Sequence, residues 1–269
     1  MTEMEKDVVT LKIYPKERIE VGTSSIIGTR DNQEDTIFGY VCQERAIGMV
    51  CDGMGGLAKG ELASKAAAES LADAWFESKE IEDIPDFLKR QAIKADEKVF
   101  FQEDENGERI RAGTTMVAAI VEKDELYWLS VGDSKIYIIR GEEIISVCRE
   151  HNYRLTLDQR LEQGQLTQEE YAAEEYRAEA LISYLGMGNV SLMDVNAQPF
   201  RMRDGDIVLL SSDGLYKSLT ENEILHLVTE YQENVQHAAE ALTAAAMGDK
   251  TSGQDNTSVV LLRYKEKKE

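Results

Sequence analysis

Short apolar or β-branched runs, broken by polar turns, recur along most of this 269-residue chain. Such runs predict β-strands, and they lie at 19–27, 36–42, 46–51, 114–121, 126–131, 136–140, 143–147, 191–199, 207–211 and 257–264. The four runs between 114 and 147 are separated by short polar turns, one of them Gly141-Glu142. Hairpin-length turns of this kind predict a single antiparallel meander.

Four other segments have the periodicity of an amphipathic helix. Apolar residues recur on one helical stripe at 59–77, and further helices are predicted at 84–102, 221–231 and 235–247. Thr220 and Glu223 have the spacing of a capping box at the start of the third of these helices. Because strands and helices come in blocks, the pattern favours an α+β fold with antiparallel sheets and helices packed outside them.

Two segments stand apart from this pattern. Residues 1–17 are polar and mixed in charge, which indicates a terminal tail or an edge segment. Residues 151–188 form a Gln/Glu-rich insert that is predicted to be helical and to act as a mobile flap. No internal repeat is visible, so we expect one domain over residues 1–269.

Composition narrows the function classes. The chain is 42% hydrophobic, but 51 acidic residues against 30 basic ones give a formal charge of −21. Such a surface repels nucleic acid and anionic membranes, so neither is an expected partner. Three cysteines without CxxC spacing support neither a disulfide framework nor a zinc cluster. With no signal-peptide pattern and no apolar run near ~20 residues, we expect a cytoplasmic protein.

Four aspartates stand where apolar runs stop or start: Asp52, Asp133, Asp213 and Asp255. Each alone is explained by a turn, because Asp-Gly and Asp-Asn pairs are common in turns. Together they favour a cage of carboxylate oxygens of the kind that Mg²⁺ or Mn²⁺ prefers. Arg30 adds a planar guanidinium suited to phosphate, although a charged hairpin turn is the simpler explanation of this segment taken alone.

Six short motifs occur in order along the chain. They are Arg30 with Glu34-Asp35, Asp52-Gly53-Met54-Gly55-Gly56, Gly113-Thr114-Thr115, Gly132-Asp133-Ser134, Ser212-Asp213-Gly214 and Asp255-Asn256. In this order they resemble the metal-dependent Ser/Thr protein phosphatases of type 2C, and the Met-Gly-Gly resembles the bacterial branch. The resemblance spans about residues 19–264. It implies a four-layer α-β-β-α sandwich of two antiparallel sheets flanked by helices.

The resemblance also implies a role for each site residue. Asp52 would bridge two Mn²⁺ or Mg²⁺ ions, with the Gly53 carbonyl on one ion and Asp213 and Asp255 on the other. Asp133 would bind a third ion together with Asp213. Glu34 and Asp35 match positions that hold metal-bound waters, and Arg30 matches the phosphate clamp. These implied roles account for the following residues: Arg30, Glu34, Asp35, Asp52, Gly53, Asp133, Asp213 and Asp255.

The implied activity is hydrolysis of phosphoserine and phosphothreonine in proteins by a metal-activated water, opposing a cognate Ser/Thr kinase. Met54 departs from the family because many members have at this position a His that can protonate the leaving alcohol. His151, at the start of the insert, is a candidate either for that role or for a structural one.

Two rival interpretations remain. Cys148 and Arg154 have the C-x5-R spacing of a cysteine-based phosphatase, but the loop lacks the Gly that cradles phosphate. Alternatively, a catalytically silent pseudophosphatase would keep the fold and act as a phosphoprotein-binding module.

Overall fold

The computed structural model describes residues 18–55, 59–104 and 106–266, so the predicted tail at 1–17 and Gly56 lie outside the described residues. The strands are β1 Ile19–Ile26, β2 Asp35–Cys42, β3 Arg45–Met54, β4 Gly113–Thr114, β5 Met116–Glu122, β6 Glu125–Val131, β7 Lys135–Arg140, β8 Glu143–Ser146, β9 Asp194–Val195, β10 Phe200–Arg201, β11 Ile207–Ser211 and β12 Thr257–Tyr264. The helices are α1 Lys59–Glu77, α2 Ile84–Phe100, α3 Tyr153–Glu162, α4 Gln168–Glu174, α5 Asp213–Tyr216, α6 Glu221–Glu230 and α7 Val235–Met247.

The strands form two sheets, and all the strand pairs are antiparallel. Sheet A has the order β1-β12-β11-β7-β8. Sheet B has the order β10-β6-β5-β3-β2, with β9 beside β6 and β4 beside β3. In this arrangement, neighbouring strands of one sheet alternately end and begin at the same edge.

Side-chain alternation explains why the sheets are sandwiched between helices. On β3, Ala46 and Val50 pack in the core between the two sheets, while Met49 and Cys51 pack in the core shared with α1 and α2. On β12, Val260 faces sheet B, whereas Val259 and Leu261 pack in the core with α6 and α7. Both faces of the central strands are therefore apolar, and the predicted four-layer α-β-β-α sandwich is confirmed.

The single predicted meander is wrong. β5 and β6 pair in sheet B, but β7 and β8 belong to sheet A, so the chain crosses between sheets at residues 132–134. Gly132 makes this crossing with a φ of +100°, and a Cβ there would lie 2.6 Å from the Thr115 side chain. β7 has to join sheet A because Tyr137 and Ile139 pack against α6 and α7, on that sheet's outer face. Hairpin spacing in the sequence carries no information about such a crossing.

The 191–199 region also differs from its prediction. Only Asp194–Val195 is a strand there, with a second two-residue strand at Phe200–Arg201. Both pair with β6 at the edge of sheet B. Very short edge strands limit the length of unpaired edge that a sheet presents.

The insert is helical over only part of its predicted range, because residues 178–188 contain no helix, and it has a small core of its own. Its α3 and α4 are followed by a 3-10 turn at Glu175–Arg177, and Leu157, Leu166 and Ala178 are buried together. The returning segment is anchored by Asp96 of α2, whose buried carboxylate accepts backbone N–H bonds from Gly186, Gly188 and Val190 at 2.7–3.0 Å. No helix in the described ranges is both long and apolar enough to cross a bilayer.

Candidate functional site

The ends of strands from both sheets meet at one end of the sandwich. β2 begins and β3 ends there in sheet B, while β7 and β12 begin and β11 ends there in sheet A. Antiparallel pairing thus gathers residues that are far apart in sequence. The pocket at this end has a volume of about 680 Å³, and its lining includes Arg30, Glu34, Asp52, Gly53, Met54, Asp133, Asp213, Lys217 and Asp255.

Asp35 and Asp52 lie at the floor of this site, and we call them the floor carboxylates. They are directly opposite each other on β2 and β3, and Asp52 continues the face of β3 that carries Val50 between the sheets. Burial raises the pKa of Asp35 to about 6, against a hydrogen bond that Ser212 donates to it at 2.8 Å. Burial, followed by the charge of Asp35 and of other carboxylates, raises the pKa of Asp52 well above its usual range.

Asp213 and Asp255 lie on the sheet A side, and we call them the rim carboxylates. Each has an ion-pair partner within the chain. Arg30 Nη2 lies 2.6 Å from Asp255 Oδ2, and Lys217 Nζ lies 2.5 Å from Asp213 Oδ2. Asp213 is the first residue of the short helix α5, so Lys217 follows it by one helical turn. No such ion pair joins a floor carboxylate to a cation within the described residues.

The other predicted site residues also lie here. Asp133 is in the crossing between the sheets, where burial and then the charge of Asp213 raise its pKa to about 6. The backbone N–H of Gly53 donates to the Glu34 carbonyl at 3.1 Å. A Cβ on Gly53 would lie 2.3 Å from the Gly60 carbonyl oxygen, so only glycine fits at this position.

Several residues hold the site although the sequence assigned them no role. The Thr114 hydroxyl donates to the Asp52 carbonyl at 2.9 Å, and the Thr115 hydroxyl accepts from the Asp52 N–H at 3.0 Å. Asn256 binds the loop that carries Arg30, donating to the Ile27 and Asn32 carbonyls and accepting from the Glu34 N–H. The motifs contain these polar residues, but only the hydrogen bonds reveal what they position.

The donor set is suited to a hard divalent cation. Five carboxylates from separate strand ends crowd together, and the raised pKa values of Asp35, Asp52 and Asp133 show how unfavourable this negative charge is by itself. Asp35 Oδ1 is buried with no hydrogen-bond partner among the described residues. Carboxylate and carbonyl oxygens are the ligands that Mg²⁺ and Mn²⁺ prefer. The described residues nevertheless include no ready-made group of three His, Cys, Asp or Glu ligands.

The remaining candidates have structural surroundings. His151 is fully buried, and its Nδ1 accepts a hydrogen bond from the Gly132 N–H at 3.2 Å. Its Nε2 lies 3.5 Å from Asp194 Oδ1, away from the residues that line the pocket. Met54 does line the pocket, but a thioether has no proton to donate.

The C-x5-R loop is not arranged as a cysteine-phosphatase site. Cys148 accepts a hydrogen bond from the Ile136 N–H, and burial raises the pKa of its thiol, which disfavours the nucleophilic thiolate. The Arg154 guanidinium binds Glu175 and Glu179 instead of facing Cys148.

Comparison with known families agrees with this geometry. The family model described as Protein phosphatase 2C matches residues 21–247. This chain belongs to the protein phosphatase 2C family. The matched range includes every predicted site residue except Asp255, which lies eight residues beyond its end.

Relatives of known name cover most of the chain. The serine/threonine phosphatase stp of Listeria welshimeri is 28% identical over 217 residues, covering 80% of this chain and 82% of that protein. Protein phosphatase PhpP of Streptococcus pneumoniae is 28% identical over 240 residues, covering 88% of this chain and 94% of that protein.

Solved structures of this family have the same fold. The S. agalactiae serine/threonine phosphatase superposes with a TM-score of 0.75 at 26% identity, covering 92% of this chain and 100% of that one. The catalytic domain of the serine/threonine protein phosphatase PstP was solved with two manganese ions. It superposes with a TM-score of 0.72 at 25% identity, covering 92% of this chain and 99% of that one.

Proposed function

We propose that this chain hydrolyses phosphoserine and phosphothreonine esters in proteins, with divalent metal ions held by the floor and rim carboxylates. The observation that carries the proposal is that Arg30 and four separate predicted aspartates line one pocket, with Asp35 buried beside Asp52. The named relatives, which are Ser/Thr phosphatases, and the two manganese ions in the PstP structure support it.

Each residue of the site has a proposed role in holding the ions or their waters. Asp52 and the Gly53 carbonyl would hold one ion, and Asp52, Asp213 and Asp255 the other. Asp133 is the carboxylate that a third ion would need as a ligand. Bound Mn²⁺ or Mg²⁺ supplies a water of lowered pKa and positive charge for the phosphoryl oxygens. Glu34 and Asp35 would accept hydrogen bonds from the ions' hydration waters.

Arg30 would orient the phosphoryl group. Its guanidinium has five N–H donors, and the bond to Asp255 uses Nη2. The Arg30 side chain is 59% exposed, so donors remain available to a phosphate that enters from solvent. A guanidinium can bind two phosphate oxygens at once, which would hold the phosphorus atom in a defined direction.

The proposal extends to the setting of the enzyme. We propose a single catalytic domain over residues 1–269, in which the insert 151–188 is a flap: Glu179 and Leu181 from it line the pocket. Phosphorylated Ser/Thr proteins would be the substrates, with a cognate Ser/Thr kinase acting in the opposite direction in the cytoplasm. The acidic surface argues against nucleic acid and anionic membranes as partners.

The test is hydrolysis of p-nitrophenyl phosphate and of a phosphothreonine peptide with and without Mn²⁺. We expect turnover that requires Mn²⁺ and is abolished by EDTA. Asp213→Asn should remove most turnover and weaken Mn²⁺ binding while the circular dichroism spectrum is unchanged. Cys148→Ser is the matched control and should keep its activity. A folded wild type without Mn²⁺-dependent turnover would instead indicate a phosphoprotein-binding module.

A further inference from the structure

Lys217 is a pocket residue that the two-ion scheme does not use. It follows α5, one helical turn after Asp213, and its Nζ lies 2.5 Å from Asp213 Oδ2. The side chain is half-exposed and lines the same pocket as the predicted metal ligands. An ammonium group is therefore located inside a cluster of carboxylates that would otherwise bind metal ions.

The charge of Lys217 also acts on Asp133. The Lys217 ammonium and the Asp133 carboxylate are within electrostatic range of each other, and the Asp213 carboxylate is within range of both. Two carboxylates that share a site repel each other, and a cation close to both relieves the repulsion. The positive charge of Lys217 thus reduces the repulsion between Asp133 and Asp213.

Neighbouring cations are engaged elsewhere. Lys135 Nζ lies 2.7 Å from Glu150 Oε1 and 4.0 Å from the centre of the Tyr216 ring, while Arg30 binds Asp255. The Tyr216 hydroxyl donates to the Asp133 carbonyl at 3.0 Å, so it holds the backbone of Asp133 and leaves the carboxylate to other partners. The geometry thus assigns the Asp133–Asp213 pair to Lys217.

We infer that the Lys217 ammonium is the built-in cation of the Asp133–Asp213 pair and keeps a third divalent ion off these two carboxylates. A tethered ammonium competes at a high effective concentration with an ion from solution. Because Lys217 occupies Oδ2, Asp213 can still offer its second oxygen to an ion shared with Asp255. The inference rests on the proposed two-ion centre and concerns which further ion that centre admits.

The test counts bound Mn²⁺ by calorimetry and by the electron paramagnetic resonance signal of free Mn²⁺. We expect two ions on the wild type. Lys217→Gln should bind a third, with an affinity at least about tenfold higher than any third ion on the wild type, because a positive charge in contact with the ligands has been removed. Lys217→Arg keeps the charge and should behave as the wild type.

Two further variants show whether the third ion binds at Asp133 and whether the loss of any lysine would admit it. Adding Asp133→Asn to Lys217→Gln should abolish the third ion, since one of its ligands is lost. Lys98→Gln removes a lysine from an ion pair with Glu69 outside the pocket lining, and it should leave the count at two. Circular dichroism checks that each variant is folded.

The contrary outcomes are distinct. A wild type that binds a third ion sensitive to Asp133→Asn, or a Lys217→Gln variant that still binds only two, overturns the role of Lys217 and leaves the two-ion centre intact. A folded wild type that binds no Mn²⁺ overturns the proposed centre, and the inference about Lys217 falls with it.

Discussion

The floor and the rim of the site contain the same chemical group in opposite electrostatic situations. Asp35 and Asp52 lie on paired strands, face each other and have raised pKa values. Asp213 and Asp255 lie on a short helix and a loop, and each is paired with a cation of the chain. Among the described residues, the floor carboxylates thus have no ion-pair partner, whereas each rim carboxylate has one.

The largest expected effect comes from removing a floor carboxylate. Asp52→Asn should lower kcat with Mn²⁺ by at least about 1,000-fold, because the proposed bridging ligand is lost and metal catalysis contributes several kcal/mol. In EDTA the same variant should be more stable than the wild type by roughly 1–3 kcal/mol, since a buried charge with like-charged neighbours has been removed. Steady-state kinetics and urea unfolding measure the two effects.

Asp249→Asn is the matched control for that prediction. Asp249 is an exposed aspartate that is not among the pocket-lining residues, and its change should alter neither quantity by more than about 0.5 kcal/mol. If Asp52→Asn were as active as the wild type, or less stable than the wild type in EDTA, the floor would not be a charge-strained metal site.

The positions of these carboxylates could be anticipated because the sequence places Asp52, Asp133, Asp213 and Asp255 beside apolar runs. Antiparallel sheets bring alternate strand ends to one edge, so residues at such ends tend to meet. The period of two also sets their direction: Asp52 shares the face of β3 that carries Val50. Local pattern and sheet geometry agree for this part of the site.

The features that the sequence did not predict depend on contacts between residues that are far apart along the chain. The crossing at residues 132–134 looks like one more hairpin turn, and only the packing of β7 on sheet A distinguishes it. The Arg30–Asp255 ion pair of the rim joins residues 225 positions apart, and no local period encodes such a contact. The burial of Asp35 beneath Ser212 is likewise a product of sheet stacking.

The second prediction separates the rim from the floor. Arg30→Ala should raise KM for a phosphothreonine peptide by about 10- to 100-fold, because a charge-assisted bidentate contact to phosphate is lost. Its stability in EDTA should change by less than about 1 kcal/mol, since exposed ion pairs contribute little. Lys in place of Arg30 should recover part of the affinity, because it restores the charge without the planar fork.

Peptide kinetics and urea unfolding of the same preparations test this separation. A loss of stability as large as the loss of substrate affinity would mean that Arg30 holds the fold through Asp255. In that case the rim would be as rigid as the floor, and the contrast between them would not hold.

The smallest expected effect is the response of the metal-free protein to pH. Burial raises the pKa of Asp35 to about 6, whereas an unfolded aspartate titrates near 3.9. Between these values the folded state binds more protons than the unfolded state, so stability falls as pH rises through this window. From pH 7 to pH 5 in EDTA, the free energy of unfolding should therefore rise by roughly 1–2 kcal/mol on account of Asp35.

Urea unfolding at pH 5, 6 and 7 measures this slope, and Asp35→Asn should make it shallower because one of the carboxyl groups with a raised pKa is gone. Saturating Mn²⁺ should reverse the slope, since protons then compete with an ion that stabilises the folded state. If Asp35→Asn had the same slope as the wild type, the ionisation of Asp35 would not be disfavoured by burial, and this half of the floor would lose its distinction from the rim.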